Sequence, residues 1–559
     1  MTVTETRPGG AGVLDSSAPA AQPGGVRGAP DAGPRSVGTA DHKRLGLVLL
    51  GTSTLLLILG IVMGELLQAQ LAAPDTNVVG SRYGELLSLH ATATAVLFLG
   101  PFWLGLATYI LPLQIGTARL ALPRLHAFAT WLYVVGGVVF LASYLAGTPS
   151  HGGITLSQPW AAVQGLSRAD RAATSLWIGG LFLVGLASVL ASGDLIVTML
   201  KLRAPGMTLA RVPLFSWASF ATSSVVVLAT PVFLGGLTLL YLDQRYGGTF
   251  FSPSNKAGVA VWQHTIWLFG RPEAFVLLLP GLGAAGDIVS THFRRPLVDL
   301  TTARAALIAF AGLSFAVWAA GPGRASAAVV LPTSTWLTAL TAGPVAVSVL
   351  LWLASGRGGP PRLHLSLAFV AGAVLLLALG AGAAIIAPAA RVRAGTAWST
   401  GQLHVVLFGA PTLLALGAVH HWAPKLFGRR LSTALGVLQL LLVLGGFAVV
   451  GVAEYVLGYR HMPWHVDSYA RHSLRALHGL AAAGGGMVLL GMLLFALSSL
   501  AAAWRRSDAP GDPYQGMTLE WATTSPPPPA NFDALPEIRS AQPLADLRAA
   551  QAGPAGGAA

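Results

Sequence analysis

About twelve windows, each long and apolar enough to cross a lipid bilayer, recur along this 559-residue chain and leave little of it for anything else. A hydrocarbon core about 30 Å thick takes roughly 20 apolar residues of helix. Stretches of that kind run from Leu45 to Trp504, with centres near Leu57, Ala93, Val135, Leu186, Val227, Leu268, Ala311, Val345, Val374, Leu413, Leu442 and Leu490. Breaks containing Arg, Pro or Gly separate them. With 54% hydrophobic and 10% charged residues, the chain lies outside the usage of water-soluble domains. The expected fold is an all-α integral membrane protein of about twelve transmembrane helices.

A formal charge of +13 raises the question of nucleic acid. The basic residues, however, are scattered over short loops and build no continuous face, so no nucleic-acid partner is expected. If the spans alternate, more of the Lys and Arg fall on the side holding Lys43, Arg119, Arg203, Arg294, Lys425 and Arg505, and the positive-inside rule makes that side cytoplasmic. Both termini then lie in the cytoplasm. The chain has no cysteine, which excludes disulfides, thiolate metal ligands and covalently attached c-type haem. Residues 1–43, rich in Gly, Ala, Pro and Ser, lack the apolar run of a signal peptide and read as a disordered cytoplasmic tail. Residues 44–506 form the membrane domain. Residues 507–559, with prolines at 526 to 529, read as a second disordered, polar cytoplasmic extension.

Ionisable groups inside a membrane span are costly, and each is a candidate for function. The candidates are Glu65, His90, Asp194, His264, Arg271, Glu273, His404, His420 and His421, with Gln402 as a polar companion. A lone intramembrane His serves as a hydrogen-bonding group about as often as a ligand. His90 and His404, however, lie in different spans and can approach one another from opposite sides, as two axial imidazoles of a six-coordinate haem would. Such a haem is coordinatively full and suits electron transfer. Spacing alone leaves both readings open.

Five segments carry a resemblance that covers Asp41 to Phe532. They are DHKRLG at 41–46, SLHATATAVLFLGP at 88–101, TFFSPSNKAGVAVWQHTIWLFGRPEAFVLLLPGLG at 249–283, LHVVLFGAPTLLALGAVHHWAPKLFG at 403–428 and LEWATTSPPPPANF at 519–532. Together they resemble subunit I of the haem-copper oxidases, the cytochrome c and quinol oxidases. The resemblance implies that family's helix arrangement, with His90 and His404 at the axial ligands of its low-spin haem. Arg460 and His461 stand for the arginine pair that holds haem propionates. His264, His420 and His421 fall at positions that are not ligands in the family and are read as structural.

The departures are as informative. Where the family has a copper-ligating His and a nearby cross-linked Tyr, this chain has Arg271 and Phe275. The two further copper ligands correspond to Ala320 and Gly321, and the axial His of the high-spin haem to Gln402. The family's gate glutamate is kept as Glu273, a candidate proton carrier or simply an inherited acid. The acidic entrance of its proton channel is matched by Arg119, the channel's Asn by Thr108, a second channel's Lys by Ser348, and a His–Asp metal pair by Ala394 and Gly395. Gln68 replaces an Arg that contacts the formyl group of haem a, which favours a b-type haem.

The resemblance and its departures imply a bacterial plasma-membrane protein carrying one bis-His low-spin haem, with no copper and no oxygen reduction. Its role would be electron transfer or accessory. Partners would be oxidase subunit II-like or III-like proteins and a cytochrome c or quinol donor. Two alternatives stay open: a structural or assembly subunit, and a terminal oxidase with unusual ligands.

Overall fold

In a computed structural model, the described residues are 39–149, 163, 165–252, 254–255, 258–319, 330–358, 361–390, 392 and 395–551. A backbone in lipid must satisfy its own N–H and C=O groups, and among the described residues helices do so throughout the apolar windows. The spans are α1 (His42–Ala72), α2 (Gly80–Ile115), α3 (Pro123–Ala146), α4 (Arg168–Lys201), α5 (Leu214–Tyr246) and α6 (Gly258–Phe293). They continue with α7 (Leu300–Ala319), α8 (Val330–Ser355), α9 (Leu365–Ala389), α10 (Ala397–Phe427), α11 (Thr433–Tyr459) and α12 (His472–Trp504). Eleven of these are long and apolar enough to span a bilayer over their described residues, and α8 adds the shorter apolar stretch Ala342–Ser355. All twelve expected centres fall inside these helices.

Most consecutive helices pack as neighbours, and α12 packs on both α11 and α1. Small residues allow the closest approaches. A β-carbon added at Gly46 on α1 would lie 2.7 Å from the Gly105 carbonyl of α2, and one at Gly446 on α11 would lie 2.6 Å from the Gly484 carbonyl of α12. In lipid, where apolar burial drives little helix association, this backbone proximity carries the packing.

The stretch after α12 departs from expectation. Residues 507–551 are not a loose extension but a cap folded across one end of the bundle, finished by α13 (Pro543–Gln551). Two buried lysines hold it. Lys425, at the end of α10, donates to the carbonyls of Gly511 (2.8 Å), Thr523 (2.7 Å) and Thr524 (3.2 Å). Lys43 donates to the carbonyls of Pro528 and Pro529 and to Asn531 Oδ1. Asn531 Nδ2 in turn donates to His42 Nε2 (2.9 Å) and to the Thr117 carbonyl (2.7 Å). Prolines lack N–H groups but keep their carbonyls, so a Pro-rich segment that looks disordered can serve as an acceptor surface for buried ammonium groups.

Candidate haem site

His90 leaves α2 just before a π-helical turn, Ala95–Leu99, and His404 sits within another, Leu403–Gly409 of α10. Such turns widen the helix locally, re-aim side chains, and are frequent at functional sites. They bring the two imidazoles to a centroid separation of 6.3 Å with planes at 62°. Two metal–nitrogen bonds of about 2.0–2.1 Å, with about 1.1 Å from nitrogen to ring centre on each side, amount to about 6.3 Å. The spacing would admit one metal between the two rings.

The tautomers agree with that role. His90 Nδ1 donates to the Gly60 carbonyl at 2.7 Å, and a carbonyl can only accept, so the proton is on Nδ1 and the lone pair on Nε2. His404 Nδ1 donates to Glu454 Oε2, also at 2.7 Å. Neither Nε2 has a hydrogen-bond partner among the described residues. Both rings border a partly open cavity between α1, α2, α10, α11 and α12, lined by Ile61, Phe98, Phe408, Phe447, Val488 and Met492 among others. Gln68 lines it too, and its Oε1 is buried without a partner. A slot lined mostly by apolar side chains, with two free imidazole nitrogens, fits a haem plane.

Glycines shape this slot. A β-carbon at Gly64 would lie 2.7 Å from His90 Cε1 and Nδ1, and one at Gly485 would collide with the Glu65 carboxyl. Glu65 itself borders the cavity.

Other candidate residues are dispersed. Gln402 donates through Nε2 to the Gly380 carbonyl of α9 at 2.9 Å. Arg460 and His461 are exposed in the turn after α11, His461 with φ of 59°, and neither lines the cavity. That turn is stapled to the start of α10, since Ala397 N–H donates to the Met462 carbonyl and Trp464 N–H to that of Gly395. Arg271, Glu273 and Phe275 lie on α6, but their side chains and that of His264 fall outside the described residues, as do Ala320, Gly321 and Ala394. Asp194 is paired with His126 at 3.0 Å and accepts from the Leu122 N–H, anchoring the α2–α3 loop. Thr108 Oγ1 lies 2.9 Å from His126 Nε2. Ser348 Oγ donates to the Pro344 carbonyl. His420 bonds Gln439 Oε1 at 3.0 Å, whereas neither nitrogen of the fully buried His421 has a partner.

The residue that sequence reasoning missed is Glu454. Its signal was available: a single carboxylate in the otherwise apolar window of α11, and so an ionisable group that needs a partner in the bundle.

Residues 44–505 match the family described as Cytochrome C and Quinol oxidase polypeptide I. The putative cytochrome c oxidase subunit 1-beta of Streptomyces avermitilis is 32% identical over 518 residues, covering 91% of this chain and 91% of the relative. The cytochrome c oxidase subunit 1 of Bacillus sp. (strain PS3) is 30% identical over 517 residues, 90% of this chain and 82% of the relative. Among solved structures, a heme-copper terminal oxidase dimer determined by cryo-EM matches with a TM-score of 0.70 at 17% identity, over 84% of this chain and 85% of that one. That likeness is one of fold.

Proposed function

The chain belongs to the cytochrome c and quinol oxidase polypeptide I family of multi-pass membrane proteins, and on that premise we propose that it is a non-oxidase member that holds one low-spin haem between His90 and His404. The observation that carries the reading is the pair of imidazoles 6.3 Å apart, each with Nδ1 committed and Nε2 free at a shared apolar cavity. Held there by His90 and His404, a haem would supply reversible one-electron transfer. The protein's own part is to fix two tautomers, exclude water with aromatic and aliphatic walls, and hold the rings apart.

The non-oxidase part of the proposal rests on residue types. Arg271, Phe275, Ala320 and Gly321 cannot ligate copper as imidazoles would, and Gln402, whose Nε2 donates to the Gly380 carbonyl, has only an amide oxygen to offer a haem iron, a poorer ligand than imidazole. Glu273 stands as an acid inherited without a ligated centre beside it. A b-type haem, no copper, a bacterial plasma-membrane location with both termini cytoplasmic, and partners resembling oxidase subunits II or III complete the proposal. The electron donor would be a cytochrome c or a quinol.

The deciding experiment is metal analysis of the purified protein together with dithionite-reduced spectra before and after carbon monoxide. One haem per chain, no copper and no carbon monoxide shift support the proposal. Two haems with a carbon monoxide-binding species would instead make the chain a terminal oxidase with unusual ligands. Complex assembly that survives in His404→Ala while electron transfer is lost separates the electron-transfer role from a structural one.

A further inference from the structure

We propose that Glu454 is a positioning residue that holds His404 as a strongly polarised ligand and so draws the reduction potential of the site downward; this rests on the axial-pair reading above. The two imidazoles are held by unequal partners. His90 Nδ1 donates to a neutral amide carbonyl, that of Gly60, whereas His404 Nδ1 donates to a side-chain carboxylate, and both contacts are 2.7 Å. Glu454 is 3% exposed. Its stem approaches α10 closely, since a β-carbon added at Gly401 would lie 3.3 Å from Glu454 Cβ.

Nothing cationic competes for the carboxylate. No Lys or Arg lines the cavity, and among the described residues Glu454 has no ion pair other than that with His404. A carboxylate that accepts the distal N–H of a metal-bound imidazole fixes the ring's orientation and raises its basicity. In a poorly screened interior, that added electron density favours the more positive oxidation state of the metal. The Gly60 carbonyl on the opposite face exerts the same effect more weakly, because a neutral acceptor makes the weaker hydrogen bond. The asymmetry between the two imidazoles is therefore a device for setting potential, and it comes from a residue that does not itself line the cavity but acts through His404.

The test is redox potentiometry on the full-length purified protein and on Glu454→Gln, which keeps volume and an acceptor oxygen but removes the charge. The expected result is a shift of the reduction equilibrium toward the reduced form by tenfold or more, which is 59 mV for a one-electron couple, with haem content unchanged. Low-temperature electron paramagnetic resonance of the oxidised proteins adds a second readout: the largest g value of the wild type should lie below that of the variant. If Glu454→Gln loses its haem, the wild-type g value decides, since a value typical of two neutral imidazoles overturns the proposal. An intact low-spin signal with an unshifted potential overturns the role of Glu454 alone. A wild type without any bis-imidazole signal overturns the axial-pair reading and this inference with it.

Discussion

Gly64 on α1 lies directly against the His90 imidazole, so closely that a β-carbon there would stand 2.7 Å from two ring atoms. The ring is also tied to Gly60, one helical turn away, so α1 both aims it and leaves it room. Gly64→Val should push the ring out of line while leaving α1 helical. The expected outcome is a membrane-inserted protein with haem occupancy at least tenfold lower, measured as the haem-to-protein ratio. Full occupancy would mean that His90 is not held where the structure places it.

Removal of either imidazole separates a ligand pair from two structural histidines. His90→Ala and His404→Ala should each abolish the low-spin absorption bands. A protein that keeps those bands without His404 takes its second ligand from elsewhere, which difference spectroscopy would show.

Lys425 is fully buried and donates to three carbonyls of the cap. Lys425→Met leaves those acceptors unpaired. Hydrogen bonds to charged groups are each worth about 1.5–3 kcal/mol, so loss of three should make undocking of the cap easier by on the order of 5 kcal/mol. Limited proteolysis in detergent should cut residues 507–551 more than tenfold faster than in the wild type. An unchanged rate would show that the remaining contacts, those of Lys43 and Glu520 among them, retain the cap.

Glu520 gives the cap a pH dependence. Burial raises its carboxyl above the ordinary 4.5, against hydrogen bonds from Gln114 and Trp422 that favour the charged form. The docked state thus holds a proton that the undocked state releases more readily. Its contribution is complete below the ordinary carboxylate range and is lost as pH rises through the elevated value. Docking measured by proteolysis should weaken with rising pH above about 4.5, and Glu520→Gln should flatten that profile. A variant with the wild-type slope would assign the dependence to another group.

His421 packs against Tyr514, Trp422 and Trp521 with both ring nitrogens unpartnered. A buried polar group without a partner costs about 1–3 kcal/mol. His421→Phe should therefore leave the melting temperature in detergent unchanged or raise it. A fall of several degrees would reveal a partner for one of the nitrogens.

The helices, and His90 and His404 as the two imidazoles to watch, were legible in the chain. Apolar windows specify helices because lipid offers the backbone no other partner, and His90 and His404 stood out because imidazoles are scarce in such windows. Other parts were not legible, for identifiable reasons. The cap looked disordered because its many prolines suggest a solvated chain, and its partners, Lys43 and Lys425, are far away in sequence. Asp194 was visible as a buried acid, but its tie to His126 depends on how α3 lies against α4. The Arg460–His461 turn matched a propionate-binding motif, but exposure of both side chains and their absence from the cavity lining are properties that only the fold decides.

By itself, the sequence determined that this protein is a bundle of about a dozen membrane helices with two candidate haem ligands, because hydropathy and residue chemistry are local properties. Only the tertiary structure decided which acceptor holds each imidazole and therefore which nitrogen is free, because a hydrogen bond between α10 and α11 depends on helix rotation and π-helical turns. The pairing of His404 with Glu454 is the clearest case, fifty residues apart in the chain and 2.7 Å apart in space.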